Sequence, residues 1–230
     1  VCSSDLQVLP LATLNANTTE TKTRIFTGAI TFNGTINSSG GNITNTFTAA
    51  LSIAANAVLN IEHSTTTFAS TVASAGATAY LYANGATVTF DDDVTFTNLN
   101  LYTNNNTSLT FDPAGGQNLP TMSLKNLSLT AAQAYTMTGN ITLAGNFAAT
   151  AAGTLDLVSY SLNVYGDFNA DATFTTNPST NSATLNIYGP VTSWGLCTDA
   201  NDVNLNLNVA GSGTITPANL DPTVDALYSL

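Results

Sequence analysis

The densest group of chemically competent side chains in this chain is the run Asp91-Asp92-Asp93, and the most regularly placed are two tyrosines, Tyr165 and Tyr188. Carboxylate oxygens suit a hard cation, so the three aspartates form a calcium candidate, and calcium is the one cofactor the sequence offers. No distal Glu ligand and no spaced glycine-aspartate repeat accompanies them, and a solvated turn between Val88-Thr-Phe90 and Val94-Thr-Phe96 accounts for the run better. Paired carboxylates also serve glycoside hydrolysis, one protonating the leaving oxygen and the other activating water. The tyrosines each immediately precede a glycine, in Leu162-Asn-Val-Tyr-Gly166 and Leu185-Asn-Ile-Tyr-Gly189. Strand alternation puts them opposite Val164 and Ile187, hence on the outside. There they could stack on sugar rings, as could Tyr80, Tyr82, Tyr102, Tyr135 and Tyr160, or simply pair across strands for roughly 0.5–1 kcal/mol.

Other catalytic combinations are poorly supplied. Cys197 needs a histidine partner to act as a nucleophile, and the one histidine, His63, belongs to a different part of the chain. The thiol is expected to be a small buried apolar residue. Arg24 is the one arginine, which leaves a uronate-cleaving site without its cations.

The elements that position these residues follow from a repeat. Ile141-Thr-Leu-Ala-Gly145, Leu162-Asn-Val-Tyr-Gly166, Leu185-Asn-Ile-Tyr-Gly189 and Leu207-Asn-Val-Ala-Gly211 place their glycines 21, 23 and 22 residues apart. A period in that range means stacked supersecondary units. Alternation of apolar and polar residues dominates, as in Ile30-Thr-Phe32, Val88-Thr-Phe90 and Leu109-Thr-Phe111, with turn residues between the segments. The fold expected is an all-β parallel β-helix, or β-solenoid, of roughly ten coils. Thr48 to Asn60 is alanine-rich and tempts a helix, but Leu51-Ser-Ile53 and Val58-Leu-Asn-Ile61 read as strands of another coil. The repeated glycine either turns a corner or lets the next coil approach closely. A single solenoid domain is expected over 7–216, with 217–230 as a cap or linker.

Val1-Cys2-Ser3-Ser4-Asp5-Leu6 resembles the translated end of a common short-read sequencing adapter, so residues 1–6 are expected to be foreign to a gene recovered from environmental DNA. Cys2 then drops out of the cysteine count, and one remaining thiol makes no intrachain bridge. Only 7% of residues are charged, so Thr, Asn and Ser must supply the polar surface. The net charge is −11, with Lys22, Arg24 and Lys125 the only cations, which excludes a phosphate-binding face for nucleic acid and disfavours an anionic membrane surface. No stretch reaches the roughly 18 consecutive apolar residues of a spanning helix, so direct membrane insertion is not expected.

Gly153-Thr-Leu-Asp-Leu157 followed by Leu162-Asn-Val-Tyr-Gly-Asp-Phe168 resembles the right-handed parallel β-helix repeats of bacterial secreted adhesins and autotransporter passenger domains, over Thr121 to Ile215. The resemblance implies an extracellular or cell-surface module, structural or adhesive, without catalysis of its own and with carbohydrate or a neighbouring cell surface as partner. The alternative is a carbohydrate-binding or polysaccharide-degrading β-helix, although the Gly-His-Gly and Arg-Ile-Lys signatures of such hydrolases do not occur. Thr87/Thr89, Thr95/Thr97, Thr136/Thr138 and Thr173/Thr175 resemble the threonine pairs of ice-binding solenoids. Their intervals are irregular, strand alternation explains them, and neither a threonine ladder on one flat face nor ice binding is expected.

Overall fold

The computed structural model describes residues 13–15, 21–171, 173–177, 183–193, 196–197 and 206–209. Every regular element among them is a β-strand of two to five residues, and the paired strands all run parallel, as the repeat requires. The fold is the expected β-solenoid, with about eight turns where the sequence period gave roughly ten. Dividing the length by the period counts the two ends as coils, and neither end lies among the described residues. The hexapeptide Val1 to Leu6, the tail from Pro217 and the side chain of Cys197 are likewise outside them.

The chain divides into two compact units, Val1–Ala114 and Gly115–Leu230. In the first, each coil contributes one strand to each of three faces. One face stacks Lys22–Phe26, Ile43–Phe47, Thr65–Phe68, Thr87–Phe90 and Ser108–Phe111. A second stacks Ile30–Phe32, Leu51–Ile53, Val72–Ser74 and Val94–Thr95. The third stacks Thr13–Asn15, Thr35–Asn37, Val58–Asn60, Ala79–Tyr82 and Leu99–Tyr102. The alanine-rich segment is therefore a coil, with strands Leu51–Ile53 and Val58–Asn60.

The core of this unit is a column of rings. Each strand of the first face ends on an inward phenylalanine, and Phe26, Phe47, Phe68, Phe90 and Phe111 are successive register partners. Their centroids lie 4.4, 4.9, 5.2 and 5.1 Å apart with planes within 16° of parallel. Burying each ring stabilises the coil by about 1.5–3 kcal/mol. Stacking adds about 0.5–1.5 kcal/mol per pair. Two positions earlier, the inward column changes character from Leu109 and Val88 to Thr66, Asn45 and Arg24. The buried polar members bond to one another. Ser38 Oγ donates to Asn45 Oδ1 at 2.6 Å, Asn45 Nδ2 donates to Thr66 Oγ1 at 3.0 Å, and Arg24 Nη1 donates to Ser38 Oγ at 2.8 Å.

The second unit repeats the plan. One face holds Asn126–Leu129, Phe147–Ala149, Phe168–Ala170 and Val191–Ser193. Another holds Gln117–Leu119, Ala134–Met137, Thr154–Asp156, Thr175–Asn177 and Leu196–Cys197. The third holds Met122–Leu124, Ile141–Leu143, Ser161–Val164, Thr184–Ile187 and Asn206–Val209. In this last sheet Ile141, Leu162, Leu185 and Leu207 are register partners, so the repeated motif is one strand seen in successive coils. Leu143, Val164 and Ile187 are buried within it, as alternation requires.

The described glycines that close the motif stand in the bends between one face and the next, but they do not turn them with a left-handed backbone. Gly145, Gly166 and Gly189 are absent from the glycines with positive φ, and what each lacks is room. A Cβ on Gly166 would come within 2.6 Å of the Gly145 carbonyl oxygen, and one on Gly189 would collide with the Gly166 carbonyl. Among the described residues the left-handed non-glycine corners fall elsewhere, at Asn56, His63, Asn98 and Val158, with φ of 61°, 60°, 63° and 54°.

Candidate functional site

Tyr165 and Tyr188 follow directly on the strands Ser161–Val164 and Thr184–Ile187, and the backbone ladder continues through them. The Tyr165 N–H donates to the Leu143 carbonyl at 2.9 Å and the Tyr188 N–H to the Val164 carbonyl at 2.8 Å. Both rings point outward, 54% and 39% exposed, and stack with centroids 4.5 Å apart and planes 13° from parallel. The coil below carries Ala144 at this position, and the one below that Lys125. Two residues back along each strand runs a polar file. Asn186 Nδ2 donates to Asn163 Oδ1 at 2.7 Å, and Asn163 Nδ2 donates to Thr142 Oγ1 at 3.4 Å. The tyrosine pair thus stands beside a ladder of amide groups with fixed orientation.

The first unit has its own outward aromatic group. Tyr82 and Tyr102 are register partners stacked at 4.6 Å, and Tyr80 lies 6.5 Å from Tyr82 on the same strand. Tyr135 belongs to neither group. It is fully buried, and its hydroxyl reaches Ala131, donating to the carbonyl oxygen at 3.2 Å and accepting from the N–H, so it cannot stack on a sugar as its residue type allowed.

The aspartates occupy the turn between Thr87–Phe90 and Val94–Thr95. Asp92 Oδ1 accepts the Asp93 N–H at 2.8 Å, a bond that shapes the turn. Asp91 belongs with Asp112 of the next coil, not with its two neighbours in sequence. Partial burial and the Asp112 charge push its carboxyl above the ordinary value. Among the described residues no three His, Cys, Asp or Glu side chains come together in a way that would hold a metal ion. His63 sits at a left-handed corner, its N–H bonded to the Asn84 carbonyl at 3.0 Å and its ring against Gly85 of the next coil.

The feature that sequence reasoning missed is on the phenylalanine face of the first unit. Its outward residues are Thr44 and Thr46, Thr65 and Thr67, Thr87 and Thr89, then Ser108 and Thr110, and the pairs are in register on four successive strands. Thr23 extends one file by a further coil, where Ile25 takes the other place. The expectation of no threonine ladder on one face is therefore overturned. Thr87/Thr89 is one rung of it. The signal was present in Thr44-Asn-Thr46 and Thr65-Thr-Thr67, but Thr44 to Thr65 is 21 residues and Thr65 to Thr87 is 22, so no fixed interval reveals the rung.

Comparison with protein-family models, with curated proteins and with solved structures finds no match to this chain.

Proposed function

We propose that this chain is a structural and adhesive module of a secreted or cell-surface protein, with no catalytic site of its own. The observation that carries the reading is that its outward surface is periodic. The same side-chain type recurs coil after coil, threonine at 44, 65 and 87, asparagine at 163 and 186, tyrosine at 165 and 188. A solenoid offers such an extended repeating surface, and a repeating partner can engage many weak contacts at once. Chemistry at a single point needs the opposite, convergent groups in a concave site.

A second reading, carbohydrate binding, is favoured by one specific arrangement. Exposed rings beside amide groups of fixed direction are the elements of a sugar subsite, and Tyr165 and Tyr188 lie beside Asn163 and Asn186. The test is to bind the purified chain to a panel of neutral and acidic polysaccharides by affinity electrophoresis, while assaying the same mixtures for new reducing ends and unsaturated products. Retardation without products, lost in Tyr165→Ala/Tyr188→Ala, supports binding through this pair. Products that vanish in a carboxylate variant would overturn the non-catalytic reading.

A further inference from the structure

We propose that the threonine face of the first unit binds ice. Parallel strands lie about 4.8 Å apart, and alternate residues along a strand about 6.6 Å apart. The outward residues at 44/46, 65/67, 87/89 and 108/110 therefore form a two-file rectangular net with those edges. That net is close in both directions to the oxygen repeat on the prism faces of ordinary ice. Each threonine contributes a hydroxyl that can take a lattice water's place and a methyl that can sit between waters. Its β-branch holds both in few rotamers.

Three properties of this face separate it from a sheet that merely happens to contain threonine. The first is regularity. The four strands pair residue for residue without a register shift, and the inward phenylalanine that ends each of them stacks on that of the next coil. The second is that the threonine hydroxyls of the net are uncommitted. Among the described residues, no side-chain hydrogen bond involves Thr44, Thr46, Thr65, Thr67, Thr87, Thr89 or Thr110. By contrast the inward and corner hydroxyls of Ser38, Ser64, Thr66 and Thr107 are all bonded. The third is neutrality. No charged residue stands in the four complete rungs, so no tightly held ionic hydration shell competes with an ordered water layer.

This inference is independent of the tyrosine pair, and its test separates the two. The chain is assayed for thermal hysteresis and for inhibition of ice recrystallisation, alongside Thr67→Tyr and Thr31→Tyr. Thr67 lies inside the net, between Thr46 and Thr89, and Thr31 is an exposed outward residue of the neighbouring face. Circular dichroism and thermal melting of all three verify that each is folded. The result expected is a hysteresis gap in the unaltered chain, lost for the most part in Thr67→Tyr and kept in Thr31→Tyr. A folded unaltered chain without hysteresis or recrystallisation inhibition overturns the proposal, as does a Thr67→Tyr variant as active as its parent. Binding to microcrystalline cellulose that disappears in Thr67→Tyr, without any effect on ice, also overturns it and assigns the face to a crystalline polysaccharide.

Discussion

Gly166 donates its backbone N–H to the carbonyl of Gly145, one coil below, at 2.8 Å, and the approach leaves no room for a Cβ on Gly166, as Lys125 and Asn126 leave none for a Cβ on Gly145. The glycine of the repeat is a spacer of zero width. The preceding residues Tyr165 and Tyr188 stack because the ladder holds them in register on adjacent coils. Gly166→Ala is expected to lower the melting temperature of the chain and to loosen the tyrosine pair. Tyrosine fluorescence and near-ultraviolet dichroism followed through the melt check both effects. The same substitution at Gly76, where a Cβ meets nothing within 4 Å, tests its φ of +115° rather than any clash.

Val164 is fully buried between Leu143 and Ile187 in successive coils. Val164→Asp sets a carboxylate in that column with no partner. The protein must then bury a charge, protonate it or open the coil, and any of these costs several kcal/mol. Loss of cooperative unfolding at neutral pH is the expected outcome. Unfolding at the temperature of the parent would place Val164 outside the column.

Asn45 binds four groups at once, Ser38 through both its hydroxyl and its carbonyl, Ser64 and Thr66. Asn45→Ala removes these bonds from a space closed to solvent, while Ser38 keeps Arg24 and Ser64 and Thr66 keep each other, so the loss is that of the hydrogen bonds themselves, about 0.5–1.5 kcal/mol each. Denaturant titration should show a lower midpoint. Because Arg24 bonds Ser38, the variant should also speed local proteolysis on the strand Lys22–Phe26.

The Asp91 carboxyl is raised by burial and by Asp112, so the folded state holds its proton more tightly than the unfolded chain. Such a group contributes stability below its unfolded value and loses it as pH rises through the folded one. Asp171 behaves in the opposite sense. Hydrogen bonds from Thr173 lower its carboxyl, and their contribution is present above the unfolded value and lost as pH falls. Asp112→Asn removes the repulsion and should raise the melting temperature at pH 7 relative to the parent, with the difference shrinking at the acid end of the carboxylate range. An equal difference at both pH values would show that charge is not the cause.

Among the described residues Val158 is the one β-branched residue at a left-handed corner, with φ of 54°, and it leads into a third-face strand as Asn56 and Asn98 do in other coils. Its N–H bonds to Asp156 Oδ1 at 2.8 Å, which holds the turn against the strain. Asparagine adopts this conformation readily. Val158→Asn is therefore expected to stabilise the chain by about 1 kcal/mol, read as an upward shift of the thermal midpoint.

The sequence alone determined the inward and outward sides of most strands, though not that of Tyr135, and that the strands are parallel. Alternation is enforced by the two-residue pleat, and repeat units that all wind in one direction stack their strands parallel, so Val164, Ile187 and the outward Tyr165 and Tyr188 were all legible in the sequence. What only the tertiary structure decided is which outward residues share a face across coils. Corners absorb insertions without disturbing the ladder, so the register step is 20 residues from Leu127 to Phe147, 21 from Thr44 to Thr65 and 22 from Thr65 to Thr87. A ladder is fixed by backbone hydrogen bonds, which count strand partners and not residues, and the threonine net, the Asp91–Asp112 pair and the buried Asn45 cluster became visible only when those bonds were in place.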